Sequence, residues 1–180
     1  MVGYERTRDS IDLAGPTQVA TVKHLPKHLR QRWRYLAVEL EAWPGADFDR
    51  NAFQRNVWFA AQNLLGDVGS AAVDLTVIRF DAWDGGAEAV VRVRRGGSDR
   101  ARAILACLEA VDGDEIGVRV RGTSGTVRAC EEKYMGGGPE RTGQRHVAIG
   151  DAERPAVVRD GRVDYSETDA FTGATLLDTE

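Results

Sequence analysis

The densest run of chemistry-bearing residues lies between Lys23 and Arg34. Lys23, Lys27, Arg30, Arg32 and Arg34 place five formal positive charges in 12 residues without one acid. His24 and His28 stand among them, and Trp33 and Tyr35 are interleaved. Cations mixed with aromatics suit a phosphate backbone; the competing reading is a solvated arm. A second set of cations is spaced by two. Arg92 and Arg94 alternate with Val91 and Val93, and Arg119 and Arg121 with Val118 and Val120. On strands, that alternation sends the valines to one face and four arginines to the other. There the arginines either offer RNA phosphates a bidentate platform or pair with Glu39 and Glu41 of a neighbouring strand. Thr123-Ser124-Gly125-Thr126 forms a third feature, at a strand-to-helix handover. Backbone N–H groups of Ser124, Gly125 and Thr126 suit a phosphate, and Ser124 or Thr126 equally suits plain helix capping.

No enzyme active site assembles from these residues. His24 and His28 are four apart, but Pro26 separates them and a third ligand of the right type is missing, which argues against zinc. Gly122-Thr123-Ser124-Gly125 does not match a nucleophile elbow, and no His or Asp partner is identifiable. Asp81 and Asp84 flank a hairpin, where turn formation accounts for them. No Walker loop or dinucleotide fingerprint is present. The expectation is a chain without catalytic residues, metal ligands or a cofactor of its own.

The elements that must position these residues are legible between two acidic ends. The net charge of −4 divides into +1 for residues 23–135, −1 for 1–22 and −4 for 136–180. Apolar residues make up 42% and charged residues 29%, enough for a packed core and against wholesale disorder. No apolar run approaches the ~20 residues of a membrane span, and no leader opens the chain. Cys107 and Cys130 lack metal or redox spacing and fit a reducing interior. A cytoplasmic protein without membrane contact is expected. Residues 1–22 read as disordered, or as an artefact of start-site choice. Gly136-Gly137-Gly138-Pro139 reads as a linker to an acidic, flexible tail with apolar patches only at 156–158 and 176–177.

Residues 35–42 alternate as a strand, with Leu36, Val38 and Leu40 on one face. Asp47 or Asp49 caps a helix over 49–65 whose Phe53, Val57, Ala60, Ala61 and Leu64 share a face, with Gly66 as its stop. Strands at 73–80 and 87–95 meet across Asp84-Gly85-Gly86. A helix capped by Ser98 or Asp99, a strand at 115–122 and a last helix over about 126–134 follow. This β-α-β-β-α-β order predicts an α+β, ferredoxin-like (RRM-like) sandwich with an extra C-terminal helix. Its antiparallel strands should lie in the order fourth, first, third, second, with the face opposite the helices open or covered by a partner. The central strands carry Arg and Glu where single-strand readers carry Phe or Tyr, which points to recognition of backbone and shape.

Arg30-Gln-Arg-Trp-Arg-Tyr-Leu36, Asn63-Leu-Leu-Gly66, Val90-Val-Arg-Val-Arg94 and Gly122-Thr-Ser-Gly-Thr126 occur in that order. Over roughly residues 23–135 the sequence resembles archaeal ribonuclease P protein component 2, particularly its forms from salt-loving archaea. The 21 Arg against 3 Lys and 16 Asp against 12 Glu fit such a host, or a GC-rich genome. The resemblance implies a non-catalytic subunit of ribonuclease P, which removes 5′ leaders from precursor tRNA. It implies that the RNA subunit performs the hydrolysis with bound Mg²⁺, and that this chain pairs with ribonuclease P protein component 3, often as a heterotetramer. It marks Arg30, Arg32, Arg34, Tyr35, Ser124, Gly125 and Thr126 as contacts to RNA or protein. The alternative is a protein-interaction or small-ligand module on the same fold, with its arginines neutralised by Glu39 and Glu41.

Overall fold

A computed structural model describes residues 26–136, 143–159, 162–167 and 170–175. Lys23, His24, residues 1–22 and Leu176-Leu177 lie outside them. The chain divides into two compact units, Met1–Arg30 and Gln31–Glu180. Within the described part of the first, a turn is closed by Leu29 N–H donating to the Pro26 carbonyl at 2.9 Å.

The second unit opens with β1 (Trp33–Ala42), whose Leu36, Val38, Leu40 and Ala42 all enter one core. Asp49 caps α1 (Arg50–Val73), its carboxylate accepting from Ala52 N–H at 2.7 Å. Phe53, Val57 and Ala61, at helical spacing, point into the same core. Gly66 does not end this helix. At φ 68° and ψ 176° it kinks the chain, and the helix resumes as far as the buried Val73. Only glycine enters that conformation at little cost. β2 (Thr76–Trp83) and β3 (Gly86–Arg94) form the hairpin across Asp84-Gly85. β2 begins later than its alternation suggests because residues 73–75 close α1; Gln54 then holds Val77 N–H at 2.6 Å.

α2 (Ser98–Ala106) is preceded by Gly97 without a side-chain cap and contributes Ala101, Ile104 and Leu105 to the core. β4 (Ala110–Val111) and β5 (Asp114–Ser124) follow. The sheet runs β2-β3-β1-β5-β4, antiparallel throughout. That is the ferredoxin-like order, with the two-residue β4 added at one edge. A bulge in β5 opposite Ala37/Val38 shifts the register there.

α3 (Val127–Tyr134), capped by Thr126, lies on the face away from the main core. Its buried Cys130 joins Ala37 and Val90, with Tyr35, Ile78, Tyr134 and Met135 around them. The face expected to lie open is therefore partly covered by the chain's own helix. Gly122 makes this possible: a Cβ there would stand 2.4 Å from the Tyr134 ring. Gly122→Ala is expected to displace Tyr134 and destabilise the protein by about 1–3 kcal/mol, read as a lower denaturation midpoint. Adding Tyr134→Ala should remove most of that further penalty.

The segment expected to be a flexible tail without period instead contains four strands. β6 (Gly143–Ile149), β7 (Ala152–Arg159), β8 (Arg162–Glu167) and β9 (Ala170–Thr175) form an antiparallel meander. Its small core is Val147, Ala156 and Val163, with Ile149, Val158, Tyr165 and Ala174 packed against it. Each strand gives this core only one or two residues, so no single one announces itself. The meander joins the first sheet through Arg159, 4% exposed. Its guanidinium donates to the carbonyls of Ala42 and Gly85 and pairs with Asp164. Arg162 pairs with Glu41. Among the described residues no helix is long and apolar enough to cross a membrane.

Candidate nucleic-acid interface

The antiparallel register sorts charge to opposite ends of the first sheet. Where β1 begins and β3 ends, Trp33 faces Arg94, and Arg95 N–H donates to the Arg32 carbonyl at 2.8 Å. The end of β5 reaches the same place, with Ser124 opposite Tyr35. Arg102 of α2 reaches Thr123 Oγ1 at 3.3 Å, and a Cβ on Gly125 would stand 3.4 Å from Arg34 Nη1. The opposite end carries the acids. Asp84 accepts from Gly45 N–H there, Asp114 from Asp47 N–H, and Asp112 from Arg55 and Asn56. The arginine set thus forms a cationic pole at one end of the sheet, and a concentration of one sign of charge steers a polyanion toward it.

Of the expected contact residues, Arg32, Arg34, Tyr35, Ser124, Gly125 and Thr126 come together at this pole. Arg92 and Arg94 stand there too, already engaged. The Arg92 guanidinium lies 4.1 Å from the Trp33 ring centroid and donates to Thr76 Oγ1, while Arg94 pairs with Asp74 at 3.3 Å. Lys27 and Arg30, both exposed, belong to the first unit. Sequence reasoning missed Arg95, Arg100 and Arg102, all exposed. The signal was available: five arginines occur between residues 92 and 102.

Arg119 and Arg121 do point away from the valines, but into carboxylates. Arg119 pairs with Glu39; Arg121 reaches Glu88 at 2.8 Å and Glu39 at 3.8 Å. Glu39 and Glu88 are 6% and 5% exposed. The second acid is therefore Glu88 rather than Glu41, which the meander claims through Arg162. Glu88 also accepts from Gly136 N–H at 3.0 Å, fastening the end of α3 to the sheet. Arg79 of β2 holds Glu131 of α3 at 2.9 Å and its neighbour Asp81 at 2.6 Å. Bonding first to Glu131 and then to Asp81 raises its already high pKa, so it stays charged.

Burial first, and the Glu131 carboxylate second, push the Cys130 thiol up to about 11 from 9.0. Because the folded pKa is raised, this group's contribution to stability is whole below about pH 9 and declines as pH rises toward 11. At pH 8 a thiol reagent should therefore label the exposed Cys107 quickly and Cys130 only after unfolding. Rapid labelling of both would contradict this packing of α3. Among the described residues no group of three or more His, Cys, Asp or Glu is placed to hold a metal ion.

The family described as Rpp14/Pop5 matches residues 34–135. The chain is similar to ribonuclease P protein component 2 of Haloarcula marismortui, 62% identical over 159 residues, 87% of this chain and 99% of that protein. The protein of the same name from Natronomonas pharaonis is 62% identical over 157 residues, 87% of this chain and 98% of that one. That from Thermococcus gammatolerans is 30% identical over 113 residues, 63% of this chain and 91% of that one. A match of 157 or more within 180 residues necessarily takes in β6 and most of β7. The first half of the appended sheet is thus part of what the two more similar relatives share with this chain.

Proposed function

We propose that this chain, which belongs to the Rpp14/Pop5 family of ribonuclease P protein components, is a subunit of the ribonucleoprotein that removes 5′ leaders from precursor tRNA. It contributes binding and positioning, while the RNA subunit carries out phosphodiester hydrolysis with its own Mg²⁺. The observation that carries this reading is the family match across residues 34–135 together with an arginine pole built largely by that same segment. A protein partner, ribonuclease P protein component 3, docks on a separate surface. Trp58, Phe59, Leu64 and Val68 stand exposed along α1, at 49%, 59%, 46% and 87%. Exposed apolar residues grouped in this way characterise protein contacts. The complex works in the cytoplasm.

The experiment is to tag the chain in its own cells and sequence the RNA that co-purifies. The expected enrichment is ribonuclease P RNA and precursor tRNA, with the partner protein in the same fraction. Recovery of the partner without enriched RNA would favour the interaction-module reading. That alternative draws support from the neutralised Arg119 and Arg121, but the arginines at the end of the sheet are not part of that pairing.

A further inference from the structure

Resting on the subunit reading, we infer that the RNA is met end-on, at the pole formed by Arg32, Arg34, Arg95, Arg100 and Arg102, and not across the sheet face. The site takes the phosphate backbone of duplex RNA.

Four observations carry this. The sheet face used by single-strand readers is occupied: α3 covers part of it, and Arg119 and Arg121 answer Glu39 and Glu88. At the pole, by contrast, those five arginines make no ion pair among the described residues. Arg32, Arg95, Arg100 and Arg102 are exposed, and the hydrogen bonds from Arg95 N–H to the Arg32 carbonyl (2.8 Å) and from Arg102 to Thr123 Oγ1 (3.3 Å) bring their segments together. The aromatics near this end are also taken. Trp33 lies under Arg92, and Tyr35 packs with the α3 cluster. A base from a splayed single strand needs a free ring to stack upon, whereas guanidinium groups need only phosphate oxygens. The pole therefore selects backbone over bases. The appended meander, tied to Glu41, Ala42 and Gly85, sits at the other end of the sheet and leaves this surface clear.

The test compares two variants of the full chain for binding to a short RNA duplex and to one of its strands. Arg32→Ala/Arg95→Ala/Arg100→Ala removes pole cations, and Arg119→Gln alters the face. Each lost phosphate contact should flatten the logarithmic salt dependence by ~0.9, so three make wild type roughly 40-fold more salt-sensitive than the triple variant over a fourfold KCl range. The triple variant should keep its unfolding midpoint, and Arg119→Gln should keep wild-type affinity. Wild type should prefer duplex over single strand.

Unchanged binding and slope in the triple variant would overturn the proposal, as would equal loss in both variants or a preference for the single strand. Should the triple variant melt early, Arg100→Ala at an exposed helix position carries the same test through a slope change of ~0.9. If the pole behaves as described yet the wild-type chain never supports precursor-tRNA cleavage, the subunit reading fails and the RNA site stands.

Discussion

Arg121→Ala is expected to lower the stability of the protein by about 3 kcal/mol, several times the ordinary value of an exposed ion pair. Glu39 and Glu88 face each other directly in the β1–β3 register, two nearly buried carboxylates that would repel if left alone. Arg121 stands between them, 2.8 Å from Glu88 and 3.8 Å from Glu39. Arg119 stays with Glu39 in the variant, but Glu88 is left with the Gly136 N–H. A buried charge stripped of its counter-ion costs more than the pair contributed. Denaturant titration at constant slope measures the loss, and Arg121→Gln with Glu88→Gln should recover most of it by removing both charges. A loss below about 1 kcal/mol would place this pairing among ordinary surface contacts. RNA binding by the double variant should match wild type, because these groups serve the sheet.

Phe53→Ala should cost about 3–5 kcal/mol, a large part of the ~5–15 kcal/mol that holds a domain together. The Phe53 side chain is fully buried, with its ring centroid 5.8 Å from that of Phe80; Phe80 in turn meets Phe48 at 6.2 Å. Alanine leaves a cavity between α1 and the sheet that the kinked helix is poorly placed to fill. Phe53→Leu, which keeps most of the volume, should cost far less. Equal losses from the two substitutions would mean that the ring's aromatic contacts, rather than its volume, dominate.

The elements with strict periods were readable from the residues. Leu36, Val38 and Leu40 fix the inward face of β1, and Phe53, Val57 and Ala61 the inward face of α1; burial of apolar groups enforces both patterns. The valines of β3 and β5 likewise send Arg92, Arg94, Arg119 and Arg121 to one face. What those arginines meet was not readable, because it depends on register. The sequence offers Glu39 and Glu41 as equivalent partners, whereas the pairing of Glu39 opposite Glu88 brings in an acid from another strand, and Glu41 goes to Arg162, 121 positions away. Gly66 looked like a stop because the local signal cannot tell a kink from an end; the burial of Val73 decides it. The pole was half legible. Arg32, Arg34 and the 124–126 turn were visible as motifs, but only the antiparallel pairing shows that they share an end with Arg95, Arg100 and Arg102. The meander escaped because its apolar residues are few per strand and become a core only when four strands combine.

The most direct test of the subunit role is reconstitution of precursor-tRNA cleavage at limiting Mg²⁺, using cognate ribonuclease P RNA and partner protein with and without the full chain. The subunit role predicts a gain in 5′-leader removal that needs both this chain and its partner and that falls in the Arg32→Ala/Arg95→Ala/Arg100→Ala variant. Absence of any gain from the wild-type chain, with the RNA competent at higher Mg²⁺, would contradict it.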